Sequence, residues 1–239
     1  MIAKKIRRKL VELSYKNKIP HLGSCLSCVD ILVAIYEQKR PEDYFILSKG
    51  HAAPALYCTL AEFGYFDSSL LETMGKDGSP FSEHPTRNSV PGVIASTGSL
   101  GHGLGFGLGM AVAEPDKKVI VLLSDGELNE GSTWEAILLA DKMEINNLVA
   151  IVDYNKWQAT QQTMYLSVLR EKWGAFGWNV IEYPFFDEEI KVPSCVEYPT
   201  CIIYHSKKGQ GVSFMENDNN WHYRIPNEDE YQRAMKELE

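Results

Sequence analysis

Two apolar runs separated by a helical stretch constrain this chain more than any other feature of its sequence. Lys118-Val-Ile-Val-Leu-Leu123 and Asn147-Leu-Val-Ala-Ile-Val152 show no polar–apolar alternation, the pattern of strands buried on both faces. Between them, Ser132 to Met143 reads as a helix with Trp134, Ile137, Leu138 and Ala140 as its apolar side. Strand, helix, strand is a βαβ unit, which predicts parallel strands joined by a right-handed crossover. Further strands, about Trp178 to Ile181 and Thr200 to Tyr204, extend the sheet. Upstream, Ile6, Leu10 and Leu13 form one helical stripe and Val29 to Tyr36 another, with a loop at Ile19 to Gly23 between them. Ser27 is the expected N-cap of the second helix, with Asp30 as its capping-box partner. Phe45-Ile46-Leu47 reads as a short strand stopping at Ser48-Lys49-Gly50-His51, and Pro54 to Phe63 as a helix. The expectation is therefore the α/β class, a mostly parallel sheet flanked by helices. Without a linker, repeat or low-complexity tract, residues 1–239 read as one domain.

The glycines at 101, 103, 105, 107 and 109 lie where a loop enters a helix. Glycine costs a helix about 1 kcal/mol against alanine, so close approach to a ligand or a neighbouring helix must compensate. A dinucleotide fingerprint fails, because starting it at 101, 103 or 105 puts Phe106, Leu108 or Met110 at the last position and no long buried strand precedes it. Residues 75–98, rich in Gly, Pro, Ser and Asn, read as a long loop, and loops of that length inside compact domains carry function. Asp and Glu outnumber Lys and Arg by 32 to 24, for a net charge of −8. That balance argues against a nucleic-acid partner. No apolar stretch is long enough to cross a membrane and the basic N-terminal segment leads into no signal-type core, so a cytoplasmic location is expected. Cys25-x-x-Cys28, with His21 upstream, could be a redox pair or half a zinc site. No second pair completes it, and Cys25, Cys28, Cys58, Cys195 and Cys201 are read as structural thiols.

Both apolar runs end in oxygen ligands. Asp125 and Asn155 sit at the carboxyl ends of parallel strands, where open α/β sheets bind ligands. A carboxylate and an amide without thiolate or imidazole select Mg2+ or Ca2+. Gly126 leaves room for close approach, and the helix starting near Gly131 presents an N-terminus that favours phosphate. These residues predict a Mg2+–diphosphate site. The alternative, Asp125 as a turn residue and Asn155 as an Asx-turn residue, stays open on spacing alone.

Ser124-Asp125-Gly126 and Asn155, thirty residues apart from aspartate to asparagine, resemble the thiamine-diphosphate motif of transketolases. In order along the chain, His21-Leu-Gly, Ser48-Lys-Gly-His51, His84-Pro85, Ser96-Thr-Gly-Ser-Leu-Gly101, Asp125 to Gly131, Asp153-Tyr-Asn155, Phe214-Met-Glu-Asn217 and Trp221-His222 match the same family. The resemblance is to the N-terminal, diphosphate-binding third of a full transketolase, as found in transketolases split into two chains. It implies thiamine diphosphate and Mg2+ as cofactors, with Asp125, Asn155 and the backbone carbonyl of Trp157 on the metal. It further implies Gly126, His51 and His222 at the diphosphate, and Gly98, Ser99 and Leu100 along the aminopyrimidine and thiazolium side. His21 and His84 would point at substrate hydroxyls, where imidazole suits proton movement near neutral pH. Glu130 would reach across a subunit interface to the partner's catalytic glutamate. Together with His21, His84 and His222, it completes the implied catalytic set.

The implied activity is transfer of a two-carbon ketol unit from a ketose to an aldose, on sugars or sugar phosphates. Because the pyrimidine-binding domain supplies the activating glutamate, the implied partner is a separate C-terminal chain, in an assembly with two copies of each. The sequence departs from the family at Ser124, where the first glycine of the motif is usual. It departs again between Trp178 and Thr200, where a segment is short, and at Tyr223, where glycine is common after the histidine. Two alternatives share some of these features, the α-type subunit of a 2-oxo acid dehydrogenase and a non-catalytic remnant. The set His21, His51 and His84 argues against the first, and intact metal ligands argue against the second.

Overall fold

A computed structural model of the chain describes residues 1–163, 168–185, 188–194 and 196–239. Cys195, and part of the short segment between Trp178 and Thr200, lie outside the described residues. Among the described residues five strands, β1 (Tyr44–Leu47), β2 (Val119–Ser124), β3 (Leu148–Tyr154), β4 (Asn179–Tyr183) and β5 (Thr200–His205), form one all-parallel sheet in the order β1-β2-β3-β5-β4. The uninterrupted apolar runs are explained by the two cores they separate. Ile120, Leu122, Val149 and Ile151 face one core, while Val119, Val121, Leu123, Leu148, Ala150 and Val152 face the other. Each strand thus alternates by period two between two equally apolar layers.

Helices α1 (Ile2–Asn17), α2 (Leu22–Ser27), α3 (Val29–Gln38), α4 (Ala53–Glu62) and α8 (Glu228–Glu237) contribute to the first core. The second lies beneath α5 (Gly103–Ala113), α6 (Gly131–Lys142) and α7 (Leu169–Ala175). Four of the five glycines sit inside α5, and they split by face. A Cβ at Gly107 would collide with Val121 of β2 and one at Gly103 with Ser48, whereas Gly105 and Gly109 look into open space. Close helix-on-sheet packing therefore accounts for one side of α5, and at Gly105 and Gly109 the other has no neighbour among the described residues.

Three local expectations are corrected. The loop at Ile19 to Gly23 ends at His21, because α2 begins at Leu22. Ser27 caps nothing: Cys28 is the N-cap of α3, and the Ser27 hydroxyl donates instead to Asp153 Oδ2 (2.6 Å). On α6, Leu138 is 53% exposed, since Thr133, Ala136, Ile137 and Ala140 form the buried stripe. Cys25, Cys28, Cys58 and Cys201 are free and buried, as structural thiols should be, and burial pushes Cys28 and Cys58 each up to about 12.

Candidate active site

The carboxyl ends of β1, β2 and β3 lie together at one edge of the sheet. A cleft of about 350 Å3 opens there, walled also by the start of α2, the 74–102 loop and the turn ending at His222. His21, His51, His84 and His222 are on its wall, with Gly98 and Leu100 from the loop and Gly126, Asn155 and Trp157 from the strand ends. Asp125 lies fully buried beneath Gly126. Ser99 and Glu130 are outside this wall, Glu130 packing against Gly101 at the start of α6. The helical turn that follows β2 directly is a 3-10 turn, Asp125–Asn129, and α6 starts only after it.

Asp125 accepts backbone N–H bonds from Gly126 (2.9 Å) and Lys156. It forms no ion pair among the described residues, and burial followed by the nearby Asp153 carboxylate pushes its carboxyl up to about 8. A buried carboxylate with acceptor sites to spare and no counter-ion is a site short of a cation. Asn155 Oδ1 accepts from Trp157 N–H (3.0 Å), the Asx-turn bond, while its Nδ2 donates to Ser27 (3.4 Å). The Asx turn and a ligand role coexist, because an amide oxygen has a second lone pair. Among the described residues no three His, Cys, Asp or Glu cluster to hold a metal. The oxygen set of Asp125, Asn155 and a main-chain carbonyl therefore fits Mg2+ rather than zinc.

Three imidazoles pack together over the cleft. His21 lies edge to face with both neighbours, 4.9 Å from His222 and 5.7 Å from His51 between ring centroids. His21 has a left-handed backbone (φ 65°) and donates its N–H to the His222 carbonyl (2.8 Å). Strain of this kind in a residue with a side chain is characteristic of functional sites. Burial lowers the pKa of all three rings, well below the usual histidine range for His51 and to about 3 for His222, where the Lys208 ammonium adds to the effect. They are neutral at pH 7, able to accept and donate without carrying charge. His84 is placed from the other side, where its ring occupies the space a Cβ on Gly98 (φ 144°) would need.

Beneath these residues lies a buried polar network that sequence reasoning missed. The Lys49 ammonium, fully buried after β1, pairs with the fully buried Asp153 (2.5 Å) and donates to the Ser24 carbonyl (3.0 Å). Ser27 and Ser206 hydroxyls also donate to Asp153. Glu127 accepts from Ser48 Oγ (2.5 Å), Gly101 N–H (3.0 Å) and Ser124 N–H (2.9 Å), tying three loops together. Buried Lys208, lowered to about 8 by burial and the proximity of Lys49, donates to His222 Nδ1 (3.0 Å) and Asn219 (2.5 Å). Some signal was available: Ser124-x-x-Glu127 is a capping-box pattern, and a lone Lys or Asp ending an apolar strand is a candidate site group. Ser24 and Lys208 carried none.

Residues 1–222 match the family described as "Transketolase, thiamine diphosphate binding domain". The chain is 40% identical to one subunit of the apulose-4-phosphate transketolase of Phocaeicola vulgatus, over 99% of this chain and 92% of that one. To the 6-deoxy-6-sulfo-D-fructose transketolase subunit SqwG of Clostridium sp. it is 34% identical, over 98% and 94%. Among solved structures, transketolase of Pichia stipitis in complex with sedoheptulose 7-phosphate superposes with a TM-score of 0.87 at 26% identity. It is matched over 99% of this chain, which spans 40% of its length. Transketolase from Leishmania mexicana, at 23% identity and a TM-score of 0.88, shares the fold.

Proposed function

The chain belongs to the transketolase family through its thiamine-diphosphate-binding domain, and on that premise we propose that it is the diphosphate-binding subunit of a two-chain transketolase. The observation that carries the reading is the buried Asp125, without an ion pair among the described residues, at the foot of a cleft whose wall bears Asn155, Gly126 and a cluster of neutral histidines. Asp125, Asn155 and the Trp157 carbonyl hold Mg2+. Gly126, His51 and His222 face the diphosphate, with Lys208 behind His222 supplying positive charge. Gly98 and Leu100, which are on the cleft wall, line the aminopyrimidine and thiazolium side. Bound thiamine diphosphate supplies the nucleophilic carbon and the electron sink needed to break a ketose carbon–carbon bond. His21 and His84 orient the sugar hydroxyls next to that bond and hold or pass a proton there.

Residues 1–239 form one such domain, and the pyrimidine-binding half comes from a separate chain. Relatives named as single subunits of a transketolase support this division, as does the side of α5 and α6 left uncovered among the described residues, where Phe106, Val112, Leu138 and Leu139 are exposed beside Glu130. An assembly with two copies of each chain buries that surface and brings Glu130 to the partner's glutamate. The donor is a ketose, and relatives named for a sugar phosphate and a sulfo-sugar favour one carrying an anionic group. No helix among the described residues is long and apolar enough to cross a membrane, and a cytoplasmic site of action belongs to the same reading.

The test is purification of the tagged chain from its native cell in Mg2+ buffer, followed by a ketol-transfer assay. A second chain eluting with thiamine diphosphate and transfer activity is expected, with Asp125→Asn abolishing Mg2+-dependent cofactor binding by calorimetry. Turnover of a ketose by the chain alone, or full cofactor affinity in the D125N variant, would refute the reading.

A further inference from the structure

An aromatic ring stands over the histidine cluster. Tyr223 follows the 3-10 turn Asn219–His222, and its ring lies 4.6 Å from the His222 ring and 5.3 Å from that of His21. It lines the cleft while remaining 60% exposed, and its hydroxyl has no hydrogen-bond partner among the described residues. The chain on either side of this exposed tyrosine is anchored, which sets where its ring emerges. On one side Trp221 is buried against Gly23, where an added Cβ would meet it at 3.2 Å. On the other, Arg224 stacks on the Trp221 ring (4.7 Å) and pairs with Glu230, at the start of α8. The backbone at Tyr223 is closed by its N–H donating to the Asn220 carbonyl. An amphipathic ring is thus held at the lip of the cleft above the two rings that face the substrate and the diphosphate.

We infer that Tyr223 is a specificity-determining residue, its ring closing the cleft beyond His21 and His222 so that short aldose acceptors are favoured over long ones. This rests on the ketol-transfer reading of the site. A chain extending past His21 away from the floor of the cleft meets the ring, and extra carbons must displace it or bend away. Steric exclusion of one or two carbon units is worth about tenfold or more in kcat/KM.

The experiment uses the complex with its partner chain and hydroxypyruvate as two-carbon donor, with glyceraldehyde and ribose as short and long acceptors. Tyr223→Ala is expected to raise the ribose-to-glyceraldehyde ratio of kcat/KM about tenfold, while Tyr223→Phe, which keeps the bulk, stays within about twofold of the parent. An unchanged ratio in active Y223A complex overturns the inference and leaves the ketol-transfer reading intact. A Y223F ratio matching Y223A overturns it as well, because the hydroxyl and not the bulk would then decide. Thiamine diphosphate affinity, read by tryptophan fluorescence, should be the same in all three proteins. Its loss in both variants would place the ring in the cofactor site and overturn the inference. A wild-type complex without transfer activity would overturn both readings.

Discussion

Replacing Lys49 with methionine removes a fully buried cation while keeping most of its volume, and isolates the energetics of the site's foundation. Lys49 and Asp153 are both inaccessible to solvent and separated by 2.5 Å. Burial alone would lower the Lys49 ammonium, but the Asp153 carboxylate and its other neighbours more than offset it, and the net shift is upward. In K49M, Asp153 keeps the Ser27 and Ser206 hydroxyls but loses its ion-pair partner, and its charge stands unbalanced beside Asp125. Breaking one side of a buried pair costs about 3–5 kcal/mol, whereas removing both charges together is often close to neutral. Against a total stability of about 5–15 kcal/mol and a urea slope of about 2–3 kcal/mol/M, the single substitution should lower the midpoint by about 1–2.5 M. Lys49→Met with Asp153→Asn should recover most of that loss. Equilibrium urea unfolding at pH 7, followed by tryptophan fluorescence, reads both. A K49M cost under about 1 kcal/mol, or a double variant no more stable than K49M, would show that the pair is not what braces these strand ends.

The two sides of α5 give a paired test in the isolated chain. Gly107→Ala should cost about 1–3 kcal/mol by overpacking against Val121, while Gly105→Ala, with open space around it, should gain up to about 1 kcal/mol of helix propensity. Thermal unfolding of both variants decides it, and the opposite order would contradict the packing described. Acid sensitivity follows from the histidines. The folded chain holds His222 neutral down to about 3, whereas unfolding restores its ordinary value of 6.5. Below pH 6.5 the unfolded state therefore binds more protons, so this contribution is complete above that pH and is lost as pH falls toward 3. His222→Asn should flatten the fall in urea midpoint across that window relative to the parent protein. Taking the difference between the two proteins cancels Asp125, whose raised carboxyl acts in the opposite direction. Parallel pH curves would argue against a buried neutral imidazole.

Local pattern was enough to read the βαβ unit, the strand ends carrying Asp125 and Asn155, and the loop with Gly98 to Leu100. Apolar runs, turn residues and short motifs are properties of neighbouring positions, and a strand's end fixes where its next side chain stands. What escaped local reading was made by partners distant along the chain. Lys49 meets Asp153 across 104 positions, Ser27 meets Asp153 across 126, and Ser24 approaches His222 across 198. Ser27 reads as a helix cap until a buried carboxylate from β3 offers it a stronger acceptor. Leu138 reads as core until the rotation of α6 on the sheet turns it outward. The insertion of β5 between β3 and β4 is likewise invisible in the order of the strands. The sequence determines which segments become strands and helices and which groups end them, because hydrophobic period and turn chemistry act over a few residues. Only the packed sheet decides which of those ends share one cleft, because burial removes the water that would otherwise satisfy each buried charge and forces lysine, serine and carboxylate to find one another.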